Sequence, residues 1–359
     1  MKLFRHRWFK ISNITKYRIR SVLFIALLWT FVDWVTVLLR NQEIERVDRE
    51  HSLWMRELLM FVLSVIMSYL FVYRLKQLLR NYPLWLNFIL KSLILLGSAL
   101  IISFFIQFVS FTLVSGLSAD AASNKILDYA LHKSWLLQKV IYWIVIFFVT
   151  QLFLLINERY SPGVFLDIFL GKYTQPKIEK RIIMFMDLKD STPIAEKLGH
   201  QLYFKFIREF IYQISAAIIE YEGRIYQYVG DEAVSSWLFD KKNTRKCMDA
   251  VILARRNIQK MSAHFRREYG IVPEFRVGIH LGDVTVGEIG VVKKDIAMTG
   301  DTMNTTARIR SATNELNHNF IVSKQFMENI ELEAWQTENL GPVELKGKGS
   351  GVELFSLKI

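Results

Sequence analysis

Arg181-Ile182-Ile183-Met184-Phe185-Met186-Asp187 is a run of apolar residues closed by a single carboxylate, and its reading decides the fold. Unbroken apolar character over so short a length is the pattern of a strand buried on both faces. Immediately after it, Ile194, Leu198, Leu202, Phe206, Phe210, Ile214 and Ile218 recur every four residues, which predicts an amphipathic helix over about 193–222. Residues 224–229 and 233–239 flank Gly230-Asp231 and read as a hairpin closed by a tight turn. A second helix is expected over about 243–268, and strands near 274–280 and 283–289. This β-α-β-β-α-β order is the ferredoxin-like arrangement of the α+β class. A helix after Gly300 and several short strands to Ile359 extend it.

Upstream the composition changes. The chain of 359 residues is 52% hydrophobic with a mean hydropathy of +0.20, high for a wholly soluble protein. Four apolar segments, about 21–39, 58–73, 92–116 and 140–156, approach or exceed the roughly 20 helical residues that cross a bilayer. Three regions follow: a membrane domain over 1–156, a juxtamembrane linker over 157–180, and a folded domain over 181–359. Residues 1–160 carry 19 Lys/Arg against 9 Asp/Glu, whereas the remainder is nearly balanced. Positive charge confined to the apolar half indicates contact with anionic lipid and excludes a nucleic-acid partner. Residues 2–20 and the 74–91 connection are basic, and the other two connections are mixed or nearly neutral. The positive-inside rule therefore places both termini in the cytoplasm of a multi-pass cell-membrane protein. No cleavable signal peptide is evident.

Asp33 lies inside the first span, and an intramembrane carboxyl is either a sensing group or one packed near the interface. Trp29, Trp34, Trp54, Trp85 and Trp143 read as interfacial anchors. In the linker, Val164–Leu170 can form a short amphipathic helix. The lone Cys247 cannot form an intrachain disulfide and reads as core filling.

Three constellations carry chemistry. Asp187 at the end of a central strand and Asp231 in the adjacent turn can face each other. Two carboxylates so placed repel unless a cation lies between them, which suits Mg²⁺ or Mn²⁺. The loop Leu188-Lys189-Asp190-Ser191-Thr192 opens a helix, so the amides of Asp190, Ser191 and Thr192 are free for anionic oxygens. Lys346 stands in the glycine-flanked loop Leu345-Lys346-Gly347-Lys348-Gly349, within reach of a triphosphate tail. The third constellation is Gly300-Asp301-Thr302-Met303-Asn304-Thr305-Thr306-Ala307-Arg308. Asn304 and Arg308 are four residues apart and share a helix face, offering an amide to a sugar oxygen and a guanidinium to a phosphate oxygen gaining charge.

Together with Phe275-Arg276-Val277-Gly278-Ile279-His280-Leu281-Gly282, these segments resemble the class III nucleotidyl cyclase family over about 180–358. The resemblance implies that Asp187, Asp231 and the Leu188 carbonyl bind two Mg²⁺ or Mn²⁺ ions per site. It implies that Asn304 and Arg308 steady the transition state, and that Lys346 contacts phosphate. In that family the metal pair and the Asn/Arg pair of one site come from different subunits, so a homodimer with two complete sites is expected. The implied activity is conversion of a nucleoside triphosphate, ATP first, to its 3′,5′-cyclic monophosphate and pyrophosphate. Base selection in such enzymes uses the positions held here by Gln227 and Ala297. Neither supplies the usual adenine-reading pair, which leaves guanylate or pyrimidine cyclisation as alternatives. Asp190-Ser191 also stands where many members carry Gly-Phe. Two rivals are weaker. A diguanylate cyclase would share Gly-Asp-Glu in a hairpin but lack residues 300–308, and a silent cyclase-like receptor or scaffold would not need both catalytic sets. The spans either anchor the enzyme or take an unidentified ligand or partner.

Overall fold

The computed structural model describes residues 12–40, 49–75, 78–79, 82–114, 116–132, 135–159, 164–292, 294–330, 337–345 and 351–358. The chain divides into two compact units, one of Thr15–Arg159 and one holding the rest.

The first unit is helical. Helix α1 (Asn13–Arg40) is followed by α2 (Arg49–Tyr69), which runs into a wider π turn at Leu70–Leu75. Then come α3 (Leu84–Val109) with its own π turn at Ser110–Val114, α4 (Ala119–His132) and α5 (Trp135–Arg159). Four stretches, Asn13–Thr36, Trp54–Leu75, Leu84–Leu113 and Lys139–Ile156, are long and apolar enough to cross a membrane. They are apolar on all sides: Ile25, Trp29, Met60, Leu95, Ile106 and Phe147 pack inward, while Phe24, Leu27, Phe31, Ile101 and Phe148 face outward. That distribution suits lipid on the outside.

Two sequence expectations change here. Residues 119–132 form a helix rather than a loop; Asp120 stands in its first turn, and the Ser118 hydroxyl accepts from the Ala121 amide at 3.3 Å. Trp29 and Trp143 are interior residues, not interfacial anchors. They meet edge to face with centroids 6.0 Å apart, and the Trp29 indole donates to Thr150 Oγ1 at 3.0 Å. Asp33 is buried between two cations, 2.6 Å from Lys139 Nζ and 3.1 Å from an Arg56 nitrogen. Its charge is thus balanced by α2 and α5, tying three helices together in a setting where an unpaired carboxylate would be costly.

The second unit carries a short helix α6 (Val164–Phe169), then β1 (Lys177–Leu188), α7 (Ser191–Glu220), β2 (Arg224–Val229), β3 (Glu232–Leu238), α8 (Lys241–Lys260), α9 (Ser262–Tyr269) and β4 (Phe275–Ile289). It continues through β5 (Asp295–Thr299), α10 (Asp301–Glu315), β6 (Phe320–Ser323), α11 (Lys324–Met327), β7 (Thr337–Val343) and β8 (Val352–Leu357). The strand order is β2-β3-β1-β4-β6-β8-β7, with β5 paired to β4. Strand β1 is antiparallel to both β3 and β4. The predicted βαββαβ arrangement is therefore present, widened at one edge by β6, β8 and β7.

Strand alternation separates two cores. Ile182, Met184 and Met186 point to one face, under Phe206, Phe210 and Ile214 of α7 and Met248 and Val251 of α8. Each such buried side chain contributes about 1.5–3 kcal/mol. Ile183 and Phe185 point to the other face, with Val234, Val284 and Val286, partly covered by Met303 and Ala307 of α10. By the same period of two, Asp187 falls on the α10 side.

The two strands expected near 274–280 and 283–289 are one strand. Its residues Phe275–Val286 pair without interruption with Leu188–Lys177 of β1, so the glycine at 282 does not break it. Gly278 is where α10 lies against β4. A Cβ there would stand 2.5 Å from the Arg310 nitrogen and 2.8 Å from its Cα. Because the obstacle is backbone, Gly278→Ala must lift the helix. We expect a loss of about 1–3 kcal/mol, read as a lower thermal midpoint of the catalytic unit in the detergent-solubilised full chain.

Candidate active site

The hairpin that carries Asp231 has a two-residue connection, Gly230-Asp231, with Val229 paired to Glu232. Gly230 takes φ +62, a left-handed conformation that glycine adopts without strain. This tight reversal sets Asp231 beside the end of β1, where Asp187 is paired with Glu232 on one side and Arg276 on the other. Asp187 and Asp231 lie within side-chain hydrogen-bonding reach of each other. The Asp187 carboxyl is pushed up to about 7. Burial is the largest cause and the charge of Asp231 the second; the Arg310 guanidinium opposes both, and Glu232 adds a further rise. Burial also raises Glu232, against the pull of Arg310.

Among the described residues, no three His, Cys, Asp or Glu side chains form a metal cage. Two carboxylates held this close, one of them raised by the charge of the other, nevertheless fit a hard divalent cation. Mg²⁺ in particular uses one or two carboxylates and completes its shell with carbonyls, water and substrate phosphates.

Arg310 of α10 reaches into this corner, with Nε 2.6 Å from Glu232 Oε2 and Nη1 3.4 Å from Asp187 Oδ2. Sequence reading did not single it out, nor Tyr203 of α7. The Tyr203 phenol is held above its ordinary range by burial and by the charge of Asp231, while a hydrogen bond with Ser191 works the other way. The only sequence signal for Arg310 was a second arginine two residues after Arg308.

The loop at 188–192 has the expected form, with α7 opening at Ser191 rather than 193. Asp190 is left-handed (φ 57), and its carbonyl accepts from the Ile194 amide at 3.2 Å. The amides of Ser191 and Thr192 thus sit in the first helical turn, where no intrahelical acceptor exists. Asp190's carboxylate lies 3.7 Å from an Arg276 nitrogen. Arg276 Nε is buried without a hydrogen-bond partner among the described residues, a donor left over beside the 188–192 loop.

Gln227 is exposed on β2 and Ala297 is buried on β5. Their strands meet through a bond from the Met298 amide to the Tyr226 hydroxyl at 3.1 Å. Tyr226 is the extra residue of a bulge in β2. Strands β2 and β5 are not paired in the sheet, so this side-chain bond is what links the two segments; Ala297 offers no polar side-chain atom. Lys346 lies outside the described residues.

Asn304 and Arg308 are not brought to the carboxylates of their own chain. Thr302, Thr305, Thr306, Ile309 and Thr313 form the buried face of α10. At about 100° per residue, Arg310 and Arg308 lie on opposite flanks of that face, about 160° apart, and Asn304 lies on the outward side, about 120° around from Arg310. Asn304 is exposed and Arg308 half-buried, and Arg308 makes no ion pair with a described residue.

The sequence model of the adenylate and guanylate cyclase catalytic domain matches residues 173–358. Adenylate cyclase 2 of Rhizobium meliloti (strain 1021) is 32% identical over 204 residues, covering 56% of each chain. An adenylate cyclase of Anabaena cylindrica is 25% identical over 214 residues, covering 56% of this chain and 42% of its own. The chain thus spans about half the length of the curated relatives it matches. Among solved structures, a bacterial light-regulated adenylyl cyclase superposes with a TM-score of 0.54 at 19% identity, covering 64% of this chain and 67% of that one. That likeness supports the fold.

Proposed function

The chain belongs to the adenylate and guanylate cyclase catalytic-domain family, and from that footing we propose that it is a membrane-bound adenylate cyclase acting as a homodimer. One observation carries the reading. The acidic corner and the Asn304–Arg308 pair sit on different sides of α10, so one chain offers two half-sites that a second copy can complete.

In the proposed reaction the ribose 3′ oxygen attacks the α-phosphorus, the bond to the bridging oxygen breaks, and pyrophosphate leaves. Asp187, Asp231 and the Leu188 carbonyl would hold Mg²⁺ or Mn²⁺. When bound, these ions lower the pKa of the 3′ hydroxyl and offset phosphate charge. Ser191 and Thr192 amides, with the unpartnered Arg276 donor, receive the outer phosphates; Lys346 belongs to the same role. Asn304 from the partner orients the ribose, and the partner's Arg308 neutralises charge growing on the α-phosphoryl oxygens. Gln227 can both donate and accept hydrogen bonds, which keeps GTP and pyrimidine nucleotides as competitors.

The excess of Lys and Arg over residues 2–20 and 74–91 supports cytoplasmic termini, which sets the catalytic unit beside cellular nucleotides. To test the activity, the detergent-solubilised full chain is incubated with ATP, GTP, CTP or UTP and Mn²⁺, and the products are separated. We expect cyclic AMP and pyrophosphate in equal amounts. A cyclic product from another nucleotide alone would move the base assignment, and none from any of the four would overturn the enzyme reading.

A further inference from the structure

We propose that Arg310 is a built-in counter-ion that sets how tightly the acidic corner takes a divalent cation. The inference rests on the reading of Asp187 and Asp231 as cation ligands. Across the β1–β3 ladder, Asp187 and Glu232 are direct partners, and like charges opposite each other in an antiparallel pair repel. Asp231 adds a third carboxyl. Arg310 is the cation placed against this group: its Nε is 2.6 Å from Glu232 and its Nη1 3.4 Å from Asp187. The two contacts differ in kind. The shorter one is a close ion pair with Glu232 whose N–H is not aligned as a hydrogen bond, and the longer one rests on the carboxylate that a metal would need.

The Arg310 backbone is seated against Gly278 of β4, and its ion pair with Glu232 holds the guanidinium in the corner. A cation entering between Asp187 and Asp231 therefore displaces the looser contact while a positive charge stays a few ångströms away. That charge opposes metal binding and restrains affinity. It also couples metal occupancy to α10, the helix that presents Asn304 and Arg308. Arg310 touches no reacting atom in this scheme and is a positioning residue.

The test is a Mn²⁺ titration of the nucleotide-free, detergent-solubilised full chain at pH 8, with free Mn²⁺ read by electron paramagnetic resonance. The chains compared are wild type, Arg310→Gln, Arg310→Lys and Asp187→Asn, the last defining background binding. We expect Arg310→Gln to lower the dissociation constant by about tenfold, since it removes one unit charge beside a divalent ion. Arg310→Lys, which keeps the charge, should stay within about threefold of wild type. A distorted site would weaken binding, so a gain in affinity cannot come from damage. If Arg310→Gln binds Mn²⁺ no tighter than wild type, the counter-ion role is wrong while the carboxylate reading stands. If wild type binds no more Mn²⁺ than Asp187→Asn, the carboxylate reading falls and this inference with it.

Discussion

Asp187→Asn lowers cyclic-nucleotide formation by about a thousandfold or more, an increase of about 4 kcal/mol in the barrier, while leaving the catalytic unit at least as stable. The two halves of this result have one cause. Asp187 is a mostly buried carboxyl whose neighbours, Asp231 and Glu232, disfavour its charge. Its value in the folded chain is about 7, well above the ordinary carboxylate range. Ionisation of a carboxyl raised in this way costs folded stability above pH 7. Asparagine keeps the shape and removes that cost. The stability gain is full above pH 7 in the absence of metal, shrinks as pH falls toward the ordinary carboxylate range, and vanishes below it. An amide cannot replace the carboxylate as a ligand for a hard cation, so activity goes while the fold stays. Cyclase rates and thermal midpoints measured at pH 8 and pH 5 on the same preparations check both halves. Activity within tenfold of wild type would remove Asp187 from the proposed site.

Arg308→Ala should cost about a hundredfold to a thousandfold in turnover, as the loss of a charge placed on the transition state does. Its stability should barely move, because Arg308 makes no ion pair with a described residue and stands half-buried on a flank of α10. Mixing gives the sharper result. A chain carrying Asp187→Asn still has a sound Asn304–Arg308 face, and one carrying Arg308→Ala still has sound carboxylates. Co-expressed at equal levels, half of randomly paired dimers are mixed and each mixed dimer holds one intact site, so about a quarter of wild-type activity returns. Differently tagged chains purified through both tags isolate the mixed species. Mixed dimers no more active than their parents would refute the shared site.

Much of the fold could be read from the chain because buried strands and amphipathic helices announce themselves by periodicity. The run at 181–187 and the four-residue spacing of Phe206, Phe210 and Ile214 found β1 and α7 to within a few residues. What escaped has physical reasons. Strand β1 begins at Lys177, because ladder bonds to Thr285 and Val286 hold a stretch whose side chains are largely exposed and mostly charged, with Ile178 its one apolar residue. Strand β4 passes through Gly282 without a break because it is paired with β1 along that whole length. Arg310 was invisible because its role depends on the rotation of α10 over Gly278, which no local spacing encodes. The carboxylate pair was legible since a strand end and a turn acid each leave a local mark. Base choice was not, as Ala297 brings no polar side-chain atom and the exposed Gln227 can both donate and accept.

The placement of functional groups on two sides of α10 has a consequence for inheritance. A chain damaged at both its carboxylates and Arg308 would not simply fall silent. In the proposed shared dimer, a sound copy paired with it would lack carboxylates in one pocket and the arginine in the other, so the sound copy would be silenced too. A cell carrying both versions in equal amounts would keep about a quarter of its output rather than half, which makes such a lesion dominant.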